Sequence, residues 1–301
     1  MKKHILDLTV RSVERVHERY VLIKLTQSAA LPPMNPGQFV EVRVDGSSST
    51  FLRRPISIHF VDYQNNELWL LVACVGDGTR RMAELQAGDT LNCVLPLGNG
   101  FSLPVTEAAA ANSAATEVAA ANSAATEAAH ATESATGAAA GKSWQKVLLT
   151  GGGVGVAPLL YLGKVLKDQG VEPTFLLGAR SAKDLLMLSE FQKYGRVLVT
   201  TEDGTMGEKG FVTNHSVLQQ ETFDMIQVCG PTPMMKAVAR YAHEKHICCE
   251  VSLENLMACG LGACLCCVEK VKADADASVA TNVCVCKEGP VFNINRLLWQ
   301  N

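Results

Sequence analysis

Cys259, Cys264 and Cys267 stand in the spacing C-x4-C-x2-C, and Cys284 and Cys286 follow Cys267 by 17 and 19 positions. Three closely spaced thiols with a fourth arriving from further along the chain suit a plant-type [2Fe-2S] cluster, in which four thiolates converge on two irons. Gly260 and Gly262 let the loop backbone pass close to the sulfurs, where N–H groups can donate to them and tune the potential. Cys266 as third ligand would leave a one-residue spacing, too tight for the same loop. Cys284 and Cys286 point the same way from an extended segment, so either could be the fourth ligand; the neighbouring Gly289-Pro290 turn favours Cys286. Tetrahedral zinc on four cysteines usually comes as two C-x2-C pairs, which this spacing does not resemble.

A second chemistry is written in glycine. Gly151-Gly152-Gly153-Val154-Gly155 follows the apolar run from Lys146 and opens a helix, with Pro158 suited to the first turn, where its missing N–H costs nothing. Free N–H groups and the helix dipole there attract a pyrophosphate. Cys229-Gly230-Pro231 ends another apolar run, and in an open parallel sheet such strand ends line one ligand crevice. Further upstream, Arg53-Arg54-Pro55-Ile56-Ser57 sits in a strand pattern, and Gly78-Thr79 opens a helix expected from Thr79 to Leu85. An arginine beside a helix N-terminus is a pair that holds a diphosphate. Arg180-Ser181 could receive a 2'-phosphate, whereas Glu202 and Asp203 would repel one, so NAD and NADP both stay open.

Those residues need elements to hold them. The chain has 301 residues, enough for about two domains at ~100 to 200 residues each, and 48% of it is hydrophobic, so a sizeable core can be buried. Residues 1–103 alternate in short runs (Tyr20 to Leu25, Gln38 to Val44, Glu67 to Ala73) between turn signals, which predicts antiparallel strands in a barrel or sandwich. Residues 104–143 carry a ten-residue unit that recurs and decays, with 18 alanines among 40 residues; this segment can bury almost nothing and reads as a low-complexity linker. Residues 144–245 alternate strand and helix, which implies a parallel sheet. Residues 246–301 hold eight of the eleven cysteines and little helical periodicity.

The balance of charge excludes other classes. Lys plus Arg is 27 against Asp plus Glu 30, with no basic block to approach nucleic acid or an anionic membrane. Asp7 interrupts any apolar signal core, and no window nears ~20 apolar residues, so the expectation is a soluble, cytoplasmic chain whose crowded cysteines bind metal rather than form disulfides.

Together, Arg54-Pro55-Ile56-Ser57, Gly76-x-Gly78-Thr79, Pro96-Leu97-Gly98-Asn99-Gly100-Phe101, the Gly151 turn and Cys229-Gly230-Pro231 resemble the ferredoxin reductase family in order and spacing. With Cys259 to Cys267 and Cys286 to Phe292 added, the chain is similar to the electron transfer subunits of NAD-dependent class 1B dihydroorotate dehydrogenases. The resemblance covers all but the alanine-rich repeat, an insert that family usually lacks. It implies a multidomain β plus α/β fold: an N-terminal antiparallel β-barrel for FAD, a ferredoxin reductase-like α/β NAD domain, and a C-terminal [2Fe-2S] module. By motif position it places Arg54, Pro55, Ile56 and Ser57 near the flavin and its phosphates, Leu71, Val72 and Ala73 on the flavin, and Gly78 and Thr79 on the pyrophosphate. Gly151, Gly152, Gly153, Gly155, Cys229 and Gly230 fall to NAD, and Cys259, Cys264, Cys267 and Cys286 to the cluster. The implied work is electron relay from an FMN-containing catalytic subunit, in an assembly of two of each subunit, through cluster and FAD to NAD+ in pyrimidine biosynthesis. No side chain of this subunit need act as acid or base. Two alternatives share some of these features: a diaphorase-like subunit serving a hydrogenase, sulfide reductase or ferredoxin, and a zinc-stabilised binding module without redox activity.

Overall fold

The computed structural model describes residues 2–47, 49–104, 144–273 and 279–299. The expected linker falls almost wholly outside them.

Six strands close an antiparallel barrel in the order β1-β2-β5-β4-β3-β6. They are β1 (His4–His17), β2 (Tyr20–Thr26), β3 (Phe39–Val42), β4 (Arg54–Asp62), β5 (Glu67–Ala73) and β6 (Thr90–Leu97). The period-two pattern sends Leu8, Val10, Ile23, Leu25, Leu68 and Leu70 inward, all essentially without exposure. Strand β3 is shorter than the run from Gln38 to Val44 suggests: its ladders with β4 and β6 both end at Val42, and the one with β6 shifts register between Phe39 and Glu41. The helix expected from Thr79 is α1 (Asp77–Met82). It begins earlier because Gly76 is extended, and the chain reaches Leu85 through tighter i to i+3 bonds rather than a continued α-helix.

The second body is a seven-stranded sheet in the order β10-β9-β8-β7-β11-β12-β15, parallel except for the last strand. Its strands are β7 (Val147–Gly152), β8 (Thr174–Ala179), β9 (Arg196–Thr201), β10 (Glu208–Lys209), β11 (Met225–Cys229), β12 (Cys248–Ser252) and β15 (Val291–Asn293). Helices α2 (Ala157–Asp168), α3 (Leu188–Gln192), α4 (Val217–Gln220) and α5 (Thr232–Glu244) connect them. Pro158 lies in the first turn of α2 as its missing N–H allows. The sheet does not stop at residue 245: Cys249 and Val251 of β12 are as buried as any core residue, so β12 belongs to it and β15 returns to pair along β12. Between those two strands the chain makes the cysteine-rich loop, a hairpin of β13 (Val268–Lys272) and β14 (Ala280–Cys284), and the single turn α6 (Val285–Glu288).

Helix α2 lies on the seam between the two bodies. His59 on β4 donates from Nδ1 to the Ala157 carbonyl at 2.7 Å, and the Tyr161 hydroxyl donates to the Met34 carbonyl at 3.0 Å. Burial lowers the His59 pKa to about 4, so the ring stays neutral and Nδ1 carries the proton toward the carbonyl. Before residue 105, Ser102 donates from both N and Oγ to Glu250; after residue 143, Trp144 is buried and the Lys146 N–H donates to Asp224. Both flanks are thus fixed to the α/β sheet. Among the described residues no helix is long and apolar enough to cross a membrane.

Candidate functional site

The cysteine loop turns back on itself through residues of positive φ: Gly260 (65°), Gly262 (81°) and Leu265 (58°). This conformation aims amides at sulfur. Leu261 N–H donates to Cys259 Sγ at 3.3 Å, Gly262 N–H to Cys286 Sγ at 3.1 Å, and Cys286 N–H to Cys267 Sγ at 3.4 Å. The side chains meet in two pairs, Cys259 with Cys264 and Cys267 with Cys286. Cys286 and Cys267 are buried, whereas Cys264 and Cys266 are exposed. Cys284 is half-buried, and its thiol donates to the Gly262 carbonyl at 3.7 Å. Burial opposes the Cys259 thiolate, yet the N–H groups of Leu261, Cys264 and Ala263 outweigh it and draw its pKa down to about 6. Burial, reinforced by Cys267, pushes Cys286 up to about 12, so its proton leaves only when a cation compensates. Among the described residues no three acidic, thiol or imidazole groups close around a single ion. Two adjoining pairs ringed by N–H donors fit a two-iron cluster.

The flavin candidates face an opening in the barrel. The β4–β5 ladder runs from Asp62↔Glu67 to Ile58↔Leu70 and no further. Beyond it, Arg54 to Ser57 pair only with β3, and Leu71 to Ala73 only with β2. Two strand edges, rich in unspent N–H and C=O groups, therefore flank a slot in which a planar polar heterocycle could be recognised. Helix α1 starts at the end of that slot. A Cβ on Gly78 would lie 3.2 Å from Arg54 Nε and 3.0 Å from Thr50, so the arginine rests directly on the first helical turn. Thr79 Oγ1 accepts from the N–H groups of Val75 and Gly76 and donates to the Gly76 carbonyl, at 3.1 Å each, so its hydroxyl holds the loop that opens α1.

The carboxyl ends of β7, β8, β9 and β11 border a crevice of about 590 Å³. Gly152 and Gly153 line it, as do Arg180 and Glu202, whose opposite charges face the same space. Gly151, Gly155 and Gly230 lie beneath. A Cβ on Gly155 would come within 2.4 Å of Gly230 Cα, so Gly155 and Gly230 allow the two turns to touch. Cys229 is buried at the end of β11, with burial first and then Glu254 raising its thiol far above the usual range. Two wall residues, Arg19 and Tyr20, come from the barrel. Local sequence carries no signal for them, because only the docking of the two bodies brings the β1–β2 turn to the sheet.

Glu41 was likewise invisible in the sequence. It lies on β3 opposite Pro55, is fully buried, and neither carboxylate oxygen has a hydrogen-bond partner among the described residues. Burial raises its pKa to about 7, partly opposed by Arg53, with Cys259 adding to the rise.

Comparison with known proteins agrees with this geometry. The family described as "Iron-sulfur cluster binding domain of dihydroorotate dehydrogenase B" matches residues 254–298, and "Oxidoreductase NAD-binding domain" matches 149–240. The chain is 35% identical over 285 residues to the "Dihydroorotate dehydrogenase B (NAD(+)), electron transfer subunit" of Bacillus velezensis, covering 95% of each protein. The protein of that description from Streptococcus mutans is 33% identical over 294 residues, covering 97% of each. A solved NADH-dependent reduced ferredoxin-NADP oxidoreductase superposes with a TM-score of 0.75 at 26% identity, covering 97% of this chain and 90% of that one. The cytochrome b5 reductase domain of Ulva prolifera nitrate reductase shares the fold, with a TM-score of 0.58 at 14% identity, over 81% of this chain and 94% of that one.

Proposed function

The chain belongs to the electron transfer subunits of dihydroorotate dehydrogenase B, and we propose that its three sites form one relay, with FAD in the β4–β5 slot, a [2Fe-2S] cluster on Cys259, Cys264, Cys267 and Cys286, and NAD+ in the crevice. It is an oxidoreductase subunit that delivers electrons from dihydroorotate oxidation to NAD+, and it works with a catalytic partner subunit. The partner carries FMN, and the assembly holds two of each subunit. The bound cluster supplies one-electron exchange, and FAD supplies exchange of one electron or two, which matches single-electron arrival to two-electron transfer onto NAD+.

What this chain does is hold and orient. Arg54 and the first turn of α1 neutralise the FAD diphosphate; the slot edges on β4 and β5 bond the ring; the amides of Leu261, Gly262 and Cys286 steady the cluster sulfurs. Gly152 and Gly153 open the crevice to the dinucleotide. The domains follow: residues 1–103 for FAD, 144–245 continued by β12 and β15 for NAD, and the intervening excursion for the cluster. One observation carries the reading. The cluster loop packs through Gly260 on Glu41, and Glu41 pairs with Pro55 in the flavin strand, so a single barrel strand separates the two redox sites. Leu261 and Leu265 lie exposed on the outer side of the cluster loop, which gives the partner an apolar face beside the cluster. The relatives do not favour the diaphorase-like alternative, and the C-x4-C-x2-C spacing is unlike the two C-x2-C pairs usual for zinc.

Iron, sulfide and flavin analysis of the anaerobically purified complex, with visible and EPR spectra before and after NADH, tests this. Two irons and one FAD per chain are expected. A colourless, zinc-bearing chain would end the proposal.

A further inference from the structure

The NAD crevice is not built by the α/β sheet alone. Its remaining wall is the tip of the barrel's first hairpin, where Arg19 and Tyr20 stand against the glycine turn. The Tyr20 hydroxyl would lie 3.8 Å from a Cβ on Gly153. The tip is fixed toward the flavin side, because the Arg19 carbonyl accepts the Cys74 N–H at 2.8 Å just before the loop into α1. On the crevice side it is held more loosely: Asp184 Oδ1 lies 3.7 Å from Arg19 Nη2 and 3.6 Å from His17 Nε2. Ser181 hydrogen-bonds the Asp184 carboxyl and keeps it ionised.

A separation of 3.7 Å exceeds a charge-assisted hydrogen bond, which runs to ~2.9 Å. The Arg19 side chain is 53% exposed and donates no hydrogen bond among the described residues, so its guanidinium fork is unspent and its ion pair contributes little. The same crevice is lined by Gly152 and Gly153, which lead through a 3-10 turn into α2. An anion bound in this crevice has both that helix-opening turn and this arginine in its lining.

We propose that Arg19, contributed by the FAD-binding barrel, is a binding residue for the diphosphate of NAD+ and NADH, and that Asp184 is the counter-ion from which it turns when the dinucleotide enters. This rests on the crevice being the NAD site. The NAD site is then composite: it is complete only when barrel and sheet are docked, and occupancy ties the hairpin to the glycine turn.

The test is ligand affinity of the purified, flavin-loaded complex for NADH, ADP-ribose and AMP. Arg19→Ala should weaken NADH and ADP-ribose roughly tenfold to a hundredfold, the usual effect of losing a charge-assisted contact, and leave AMP nearly unchanged. Arg19→Lys should restore part of that loss. Asp184→Asn releases the arginine and should tighten ADP-ribose, and in the Arg19→Ala background that gain should vanish. A purely structural ion pair predicts instead that Arg19→Ala and Asp184→Asn weaken all three ligands together; that result, or unchanged ADP-ribose affinity in Arg19→Ala, overturns the proposal. Failure of the unaltered complex to bind ADP-ribose or NADH would instead refute the crevice as the NAD site. An unchanged FAD spectrum and melting temperature confirm that the variants are folded.

Discussion

A Cβ built on Gly260 would stand 2.6 Å from Glu41 Cγ, so the cluster loop and the barrel strand that backs the flavin slot meet at a contact with no room for a methyl group. Gly260 also holds φ at 65°, a region other residues enter at a cost. Gly260→Ala should therefore lower the iron content of the purified protein severalfold while FAD content stays near one per chain. Equal loss of both would show that the contact supports the barrel and not the cluster loop.

The same contact makes stability depend on pH. Glu41 has its pKa raised from 4.5 to about 7 by burial, so the folded state prefers the protonated acid. Its favourable contribution is complete below about 4.5 and is lost as pH rises through about 7, at ~1.4 kcal/mol per unit of separation between the two pKa values. A cluster bearing four thiolates would act in the same direction. Glu41→Gln should melt close to the unaltered protein at pH 5 and several degrees above it at pH 8.5. Melting curves that run parallel across this range would contradict the assignment.

Replacing single cysteines separates ligand from neighbour. Cys286→Ser should remove most of the cluster's visible absorption, because this sulfur is buried beside Cys267 and accepts the Gly262 amide. Cys284→Ser and Cys266→Ser should keep the absorption, since the Cys284 thiol is engaged by the Gly262 carbonyl and Cys266 breaks the C-x4-C-x2-C spacing. A cluster retained in Cys286→Ser and lost in Cys284→Ser would exchange their roles.

Leu261 and Leu265 are 47% and 65% exposed at the cluster loop. Changing both to Asp puts charge on the proposed partner face without touching a ligand. The catalytic subunit should then co-elute poorly, and dihydroorotate-dependent NADH formation should fall at least tenfold, while NADH-driven reduction of a soluble dye persists. Full co-elution would move the interface elsewhere.

Much of this was legible in the sequence because it is local. Period-two runs gave the barrel strands, the glycine turn and Pro158 gave the start of α2, and C-x4-C-x2-C gave the thiol loop. What escaped is long-range. The burial of Glu41 depends on Gly260, more than 200 positions away, and Arg19 reaches the crevice only through docking. The boundary placed at 245 missed β12 because a cysteine-bearing strand looks like the start of the cluster block, although Cys249 packs as a small core residue. Among the glycines read as cofactor-binding, Gly151 and Gly155 also leave no room for a Cβ against their neighbours, a constraint that spacing does not reveal.

The flanks at Ser102 and Trp144 are each fixed to the same sheet, so excising residues 106–142 should raise stability by about 2 kcal/mol, as loop-closure entropy predicts for so large a shortening. Calorimetry of the shortened chain checks this.

Because β15 comes home to β12 after the iron-binding excursion, that excursion is stitched in at both ends and is no dangling appendage. Trimming the chain before Val291 would strip the hem from the sheet and bare an edge ready to pair with a stranger. Grafting this metal cradle onto another reductase would accordingly require two splice points and a spare border strand, and whatever bends the nucleotide half must carry the iron with it.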